Sequence, residues 1–211
     1  MRTEDLISRL VAEPPRPPLR AAAMALAMLV ALALPLGWFL GSMGMRPDLE
    51  AALLAPVTAA KSLLPFVLGA TSFALALHLA RPEARVGRRL VPAALVGLAA
   101  LGLWLGFWVQ TPTQALGAAI RGSTQVKCLT TIALMSLPPL AVGLLMLRRG
   151  ASSAPALSGA VLGLACGGMA AAGYALHCTE DNPLFYVTWY GAAILGAGGI
   201  GALLGWRLLR W

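Results

Sequence analysis

Six apolar blocks dominate the sequence, and each is about as long as a helix that crosses a bilayer. The hydrocarbon core of a membrane is roughly 30 Å thick and needs about 20 apolar residues in a helix. A lone segment in that core satisfies its backbone polar groups only as a helix. Charged residues make up 11% of the chain, against about 25% in soluble domains. The sequence therefore predicts an all-α, polytopic membrane protein with six transmembrane helices, in residues 20–40, 57–80, 90–110, 129–147, 155–176 and 184–206.

Basic residues between the blocks predict the orientation, because Lys and Arg concentrate in cytoplasmic loops. If the N-terminus is cytoplasmic, twelve of the 16 basic residues lie on that side and four on the other. We therefore expect a multi-pass protein with both termini in the cytoplasm. The alternative, a signal peptide cleaved near Ala33, is disfavoured because apolar sequence continues to Leu40. The four residues on the outer side are Arg46, Lys61, Arg121 and Lys127.

The first 19 residues differ from the rest of the chain. Leu6, Ile7, Leu10 and Val11 fall on one face of a helix over residues 1–13, and the prolines between positions 14 and 18 end that helix. Such a short helix cannot bury its apolar stripe by itself, so we expect it to dock on a protein partner or on the lipid surface. The sequence thus divides into a cytoplasmic amphipathic segment with a Pro-rich tether, residues 1–19, and a transmembrane domain, residues 20–211.

Charged residues are nearly absent from the apolar blocks, and this excludes several classes of protein. No acidic residue falls inside a block, whereas transporters and pumps usually keep ionisable groups near the midplane. Lys61 is the one basic residue inside a block, near its outer end, where we expect the side chain to snorkel to the headgroups. The paired carboxylates and nucleophile motifs of hydrolases are missing, and no basic stripe interleaved with aromatics indicates nucleic-acid binding. The sequence argues against an ion-coupled transporter, an enzyme and a direct nucleic-acid binder.

Small residues at every fourth position predict where helices pack closely. Three blocks carry such repeats, and the longest is in the fifth. We therefore expect the fifth helix to lie at the centre of the bundle. The repeats are Gly102 and Gly106 in the third block, Gly159, Gly163 and Gly167 in the fifth, and Gly201 and Gly205 in the sixth.

Two of the three cysteines are expected at the outer ends of neighbouring helices. Cys128 opens the fourth block and Cys178 follows the fifth, so their sulfurs could come within disulfide reach. Together with His177, the two thiolates would form a soft site for a heavy-metal ion. The alternative is two ordinary buried cysteines. Cys166 lies 12 residues before Cys178, which is about 18 Å of helix, and we expect it only to pack.

Several motifs resemble those of the NrsF-type membrane anti-sigma factors, over nearly the whole chain. The opening Met-Arg-Thr-Glu-Asp-Leu-Ile of residues 1–7 and the Arg-Pro-Asp-Leu of residues 46–49 match. The two cysteine segments are the most specific: Cys-Leu-x-Thr-Ile at residues 128–132, running into Ser-Leu-Pro-Pro at 136–139, and Tyr-Ala-Leu-His-Cys-x-Glu-Asp at 174–181. Asn-Pro-Leu-Phe at 182–185 and Trp-Tyr-Gly at 189–191 complete the resemblance.

The resemblance implies a protein of the bacterial inner membrane that sequesters an extracytoplasmic-function sigma factor and releases it under oxidative or heavy-metal stress. It implies that Cys128 and Cys178 are the sensor pair. We expect a sigma factor and the lipid bilayer as partners, no enzymatic activity, and no cofactor beyond a transiently bound heavy-metal ion. Two other classes stay open: a small membrane transporter or channel without a sigma partner, and a purely structural membrane subunit. The residues assigned to sigma binding by their position in the opening motif are Asp5, Leu6, Ile7 and Leu10.

Overall fold

A computed structural model of the chain describes residues 3–12, 19–85 and 87–210, and within these ranges the regular structure is helical. Six helices are long and apolar enough to cross a membrane, which confirms the predicted all-α class with six long apolar helices and indicates a membrane protein. The helices are α1 (Thr3–Ala12), α2 (Ala21–Met43), α3 (Leu49–Leu54), α4 (Pro56–Leu79), α5 (Val91–Gln110), α6 (Thr113–Arg121), α7 (Gln125–Leu147), α8 (Pro155–Tyr174) and α9 (Pro183–Leu208). A 3₁₀ turn at Gly87–Leu90 leads into α5.

Prolines mark the starts of three long helices. Pro56, Pro155 and Pro183 each stand in the first turn of their helix, where the missing N–H has no intrahelical partner to lose. Asn182 caps α9, because its side-chain oxygen accepts a hydrogen bond from the backbone N–H of Leu184 at 2.9 Å. The starts of α8 and α9 therefore lie within a residue of the predicted block boundaries.

The fifth long helix, α8, is the centre of the bundle, as the glycine repeat predicted. A Cβ added at Gly159 would collide with the backbone of Gly201, and one at Gly163 with the carbonyl of Ala197. On another face of α8, a Cβ added at Gly168 would lie 2.6 Å from the carbonyl oxygen of Pro65. The helix thus packs by backbone contact on both α9 and α4.

The packing predicted for the third block is wrong. A Cβ added at Gly102 or Gly106 would meet no atom within 4 Å, and α5 has no buried residue. The helix lies at the side of the bundle, in contact with α4 and α9. Glycine repeats at helical spacing are therefore not sufficient for close packing in this chain.

Different connecting segments meet at the two ends of the bundle. At one end the Arg46 N–H donates to the Leu176 carbonyl at 3.0 Å, and the Ser123 N–H donates to the Glu180 carboxylate at 2.8 Å. Residues 44–55, 111–124 and 175–182 meet here, and this end is termed the cysteine end. At the opposite end the Ala151 N–H donates to the Ala80 carbonyl at 2.8 Å.

Two short helices at the cysteine end were not predicted. The six-residue α3 and the nine-residue α6 lie in the stretches that the sequence analysis treated as loops. The indole N–H of Trp189 donates to the Ile120 carbonyl at 2.8 Å and so attaches α6 to α9. Gly122 then ends α6 with φ +56, a left-handed conformation that favours glycine.

Candidate cysteine site

Cys128 and Cys178 face each other inside the cysteine end. Their Sγ atoms lie 3.8 Å apart, and the residues are 0% and 4% exposed. Both are free thiols, since a disulfide would need a separation of about 2.05 Å. The structure thus brings together the two cysteines that the sequence placed at the ends of neighbouring helices.

The two cysteines occupy different kinds of backbone. Cys128 lies in the first turn of α7, where its N–H donates to the Thr124 carbonyl at 2.9 Å. Cys178 lies beyond the end of α8, in the segment 175–182 that connects α8 to α9. Tyr174 and Tyr190 pack beside the pair, with their ring centroids 5.9 Å apart. One thiol is therefore fixed by a helix, whereas the other belongs to a connecting segment.

The segment that carries Cys178 is held by a cluster of four charged residues, termed the charge cluster: Arg46, Asp48, Lys61 and Asp181. Arg46 donates to both oxygens of Asp181, at 2.7 and 2.6 Å, and to both oxygens of Asp48, at 2.8 and 2.9 Å. Lys61 Nζ lies 3.2 Å from Asp181 Oδ1. Arg46 and Lys61 also donate to the Cys178 carbonyl oxygen, at 3.2 and 2.5 Å respectively.

The prediction for Lys61 was wrong. Its side chain does not snorkel to the headgroups, because it is 1% exposed and bonded to Asp181 and to the Cys178 carbonyl. A buried ammonium is costly unless it is paired, and Asp181, 120 residues later in the chain, supplies the pair. A basic residue inside an apolar block, with acidic residues in loops at the same end, is the sequence signal that could have indicated this cluster.

The cluster changes the protonation equilibria of its members. The hydrogen bonds from Arg46 hold the pKa of Asp48 below its usual range. Burial acts to raise the pKa of Asp181, but the hydrogen bond from Arg46 and the charge of Lys61 outweigh it and lower that pKa. The pKa of the Cys178 thiol is lowered because the Cys128 thiol donates to its thiolate, and the charge of Lys61 acts in the same direction. The hydrogen bond to Asp181 and, to a smaller extent, that to Asp48 raise the pKa of Arg46.

His177 does not join the cysteines to form a metal site. Its Nδ1 lies 2.8 Å from the Gly44 carbonyl oxygen and its Nε2 lies 3.2 Å from Lys127 Nζ. Because a carbonyl only accepts, Nδ1 donates and Nε2 accepts from the ammonium. The ring also packs on Phe39, with centroids 4.9 Å apart. Among the residues that the structure describes, no group of three His, Cys, Asp or Glu side chains is placed to hold a metal ion.

The residues assigned to sigma binding lie on α1, at the start of the chain. The side chains of Asp5, Leu6, Ile7 and Leu10 fall outside the described part of the structure, so this assignment stays a prediction. Cys166, by contrast, lies in the middle of α8, where it is 1% exposed and packs in the core with Met28 and Leu162.

Comparison with known proteins identifies the family. A family described as "Negative regulator of sigma F" matches residues 10–211. The anti-sigma-F factor NrsF of Caulobacter vibrioides (strain NA1000 / CB15N) is 36% identical over 219 residues, and the alignment covers 100% of both chains. The probable anti-sigma-F factor NrsF of Azospira oryzae (strain ATCC BAA-33 / DSM 13638 / PS) is 34% identical over 222 residues, again with 100% of both covered. No solved structure matches the chain significantly. The resemblance seen in the sequence is thereby confirmed: the chain belongs to the NrsF family of negative regulators of sigma F.

Proposed function

We propose that this chain is an inner-membrane anti-sigma factor that sequesters an extracytoplasmic-function sigma factor and releases it when the Cys128–Cys178 pair reacts. Membership of the NrsF family supports the anti-sigma role. The observation that carries the sensing role is the 3.8 Å separation of two buried, free sulfurs on different elements. Oxidants convert such a pair to a disulfide, and soft metal ions bridge it through both thiolates. Either event links α7 to the segment 175–182.

The orientation of the bundle follows from its charges. Besides Arg20, which directly precedes α2, eight arginines lie beyond the α-helix ends or in the last helical turn at the opposite end, whereas the cysteine end has few exposed cations. Because basic loops stay in the cytoplasm, the cysteine end faces outward and both termini face the cytoplasm. The pair then lies at the end of the bundle that oxidants and metals reach from outside the cytoplasm. The arginines are Arg81, Arg85, Arg88, Arg89, Arg148, Arg149, Arg207 and Arg210.

Helix α2 offers the shortest route from the cysteines to the N-terminal segment. Three contacts join the segment 175–182 to residues that directly follow α2. The His177 ring donates to the Gly44 carbonyl at 2.8 Å, the Arg46 N–H donates to Leu176, and the Arg46 side chain donates to Cys178. α2 then crosses the bundle to Ala21, next to the tether. Only Met24 and Met28 of α2 are buried, so a shift of the helix disturbs few core contacts.

Release of the sigma factor requires a defined change in free energy. To move a release equilibrium from 1:99 to 99:1, the reacted pair must favour the released state by about 5.5 kcal/mol. A new covalent or metal link acts on the segment that holds the end of α2. The proposed signal therefore consists of a displacement of α2 that weakens the grip of the N-terminal helix on the sigma factor.

Replacement of the cysteines tests the sensing role. We expect Cys128→Ser, Cys178→Ser and the double variant to lose the response to the same extent, because each change removes the link completely. Cys166→Ser, a matched change in a buried cysteine, should respond normally. The measurement is sigma-dependent transcription after exposure of each strain to cadmium and to a thiol oxidant. A full response in the double variant would show that the stimulus enters elsewhere.

The sigma contact is tested at the start of the chain. Leu6→Ser with Ile7→Ser removes two members of the apolar stripe and should raise sigma-dependent transcription without stress. The amount of protein in the membrane should stay unchanged. Ala12→Ser introduces the same residue at an exposed position on the other side of the helix and should retain repression. Unchanged repression in the Leu6, Ile7 variant would contradict this part of the proposal.

A further inference from the structure

The backbone of Cys178 is held by two buried cations. Lys61 Nζ and Arg46 Nη1 donate to its carbonyl oxygen at 2.5 and 3.2 Å, and these two side chains are 1% and 3% exposed. Burial of a cation is costly and is tolerated only when the cation is paired and hydrogen-bonded. Asp181 pairs with both. The costly part of the charge cluster is thus attached directly to one cysteine of the pair.

Any movement of the Cys178 backbone that brings the two sulfurs together works against this attachment. The sulfur atoms must approach from 3.8 Å to about 2.05 Å. Cys128 is fixed by the first turn of α7, whereas Cys178 lies in a connecting segment. Cys178 is therefore the residue that moves more when the sulfurs approach each other. The hydrogen bonds from Lys61 and Arg46 to its carbonyl oxygen oppose any movement of its backbone.

We propose that Lys61, Arg46 and Asp181 are positioning residues that hold Cys178 in the unbonded arrangement and thereby set the reduction potential of the Cys128–Cys178 pair. The inference rests on the proposed function, because a threshold for oxidation matters only if the pair is a sensor. Oxidation forms one S–S bond and releases two protons and two electrons. A disulfide oxidant such as glutathione disulfide accepts both electrons and both protons, and its S–S bond breaks to give two thiols. A restraint that favours the dithiol makes the pair harder to oxidise, so loss of the restraint makes its potential more negative.

The test is a redox titration of the full chain in detergent. The Cys166→Ser background leaves two thiols, and a gel shift with a large maleimide counts those that are still reduced. Buffers with graded amounts of glutathione and glutathione disulfide set the poise. With Lys61→Met, we expect half-oxidation at a buffer ratio at least about tenfold more reducing than for the unchanged chain, which corresponds to about 30 mV. Lys61→Arg keeps a cation and should titrate close to the unchanged chain.

The matched control is Lys127→Met. It removes another lysine at the cysteine end, next to Cys128 in sequence, but Lys127 contacts His177 rather than Cys178. Its midpoint should not move. A Lys61→Met midpoint equal to that of the unchanged chain, or displaced toward more oxidising buffers, would overturn the inference.

A substitute variant and an assay without sigma factor keep the outcome decisive. If Lys61→Met does not yield monodisperse protein, Asp48→Asn takes its place, since Asp48 is the exposed partner that orients Arg46; its midpoint should move in the same direction, and an unmoved midpoint would overturn the inference. The titration uses no sigma factor. Its failure is therefore distinguishable from failure of the proposed function, which would appear as a full stress response in the Cys128, Cys178 double variant.

Discussion

Asp181 is the residue whose loss should destabilise the cysteine end most. Its carboxylate accepts hydrogen bonds from Arg46 at 2.6 and 2.7 Å and from Lys61 at 3.2 Å. Asp181→Asn keeps the shape of the side chain and removes its charge. Arg46 then still pairs with Asp48, whereas Lys61 loses its ion pair and retains neutral acceptors, the Cys178 carbonyl and the amide oxygen of the substituted side chain. The variant therefore contains one buried cation in excess.

The unpaired buried cation lowers the free energy of unfolding. Removal of one partner from a buried ion pair costs about 3–5 kcal/mol, and because the Asp181 side chain is 33% exposed, the lower end of that range applies. For a chain of this size about 1 kcal/mol shifts the Tm by about 2–4 °C, so we expect Asp181→Asn to lower the Tm by about 6–12 °C. Addition of Lys61→Met removes the excess cation and leaves the Arg46–Asp48 pair intact. The double variant should recover most of the loss, a coupling near the upper end of the range of about 0.5–3 kcal/mol for neighbouring groups.

A double-mutant cycle measures this coupling. The unchanged chain, the two single variants and the double variant are unfolded by heat in one detergent, and helix content is followed by circular dichroism. Glu180→Gln serves as the control, because the Glu180 carboxylate lies in the same segment and, among the residues that the structure describes, bonds to Ser123 alone; we expect it to cost much less than Asp181→Asn. Additive losses, with the double variant less stable than Asp181→Asn alone, would refute the electrostatic reasoning.

The remaining predictions concern topology, packing and acid stability. In a chain whose native cysteines are replaced, a cysteine at the exposed Ser42 should react with a membrane-impermeant maleimide in intact cells, and one at the exposed Ser153 should not; the reverse pattern would invert the proposed orientation. Gly163→Ala forces a Cβ against a backbone carbonyl of α9 and should lower the Tm, whereas Gly102→Ala enters open space and should leave it unchanged. Because the pKa of Asp181 is lowered in the folded chain, its stabilising effect is complete above its ordinary value of 3.8 and is lost as the pH falls through the lowered pKa. Acidification from about pH 5 to about pH 3 should therefore lower the Tm of the unchanged chain more than that of the variant with both Asp181→Asn and Lys61→Met. Equal losses of Tm would contradict the stabilising role of the Asp181 carboxylate.

Local sequence patterns were sufficient for the long helices and insufficient for the charge cluster. An apolar block of about 20 residues specifies a membrane helix without reference to the rest of the chain. The pairing of Lys61 with Asp181 spans 120 residues and that of Arg46 with Asp181 spans 135. No local periodicity encodes such contacts. The sequence located these charges at one end of the bundle, but only the packed helices bring them together.

The short helices and the glycine repeats show the same limit at smaller scale. α3 and α6 have six and nine residues, too few for an apolar period to distinguish them from loops, and α6 is attached to α9 by Trp189, a tertiary contact. The repeat at Gly159 and Gly163 packs closely because small residues of α9 face it. The repeat in α5 faces none. Close packing thus depends on the partner helix as much as on the repeat itself.

Position, rather than burial, distinguishes the proposed sensor pair from the third cysteine. All three are at most 4% exposed, so exclusion from water does not distinguish them. Cys166 lies in the middle of α8, where helical hydrogen bonds fix its backbone, and no second cysteine lies beside it in the described residues. Cys178 has such a neighbour and lies outside the helices, and its carbonyl accepts hydrogen bonds from Lys61 and from Arg46, which lies just beyond the end of α2. A reaction at Cys166 would change only local packing. In the proposed mechanism, a reaction at Cys178 displaces a segment that is bonded to the residues following α2, and this connection carries the signal across the membrane.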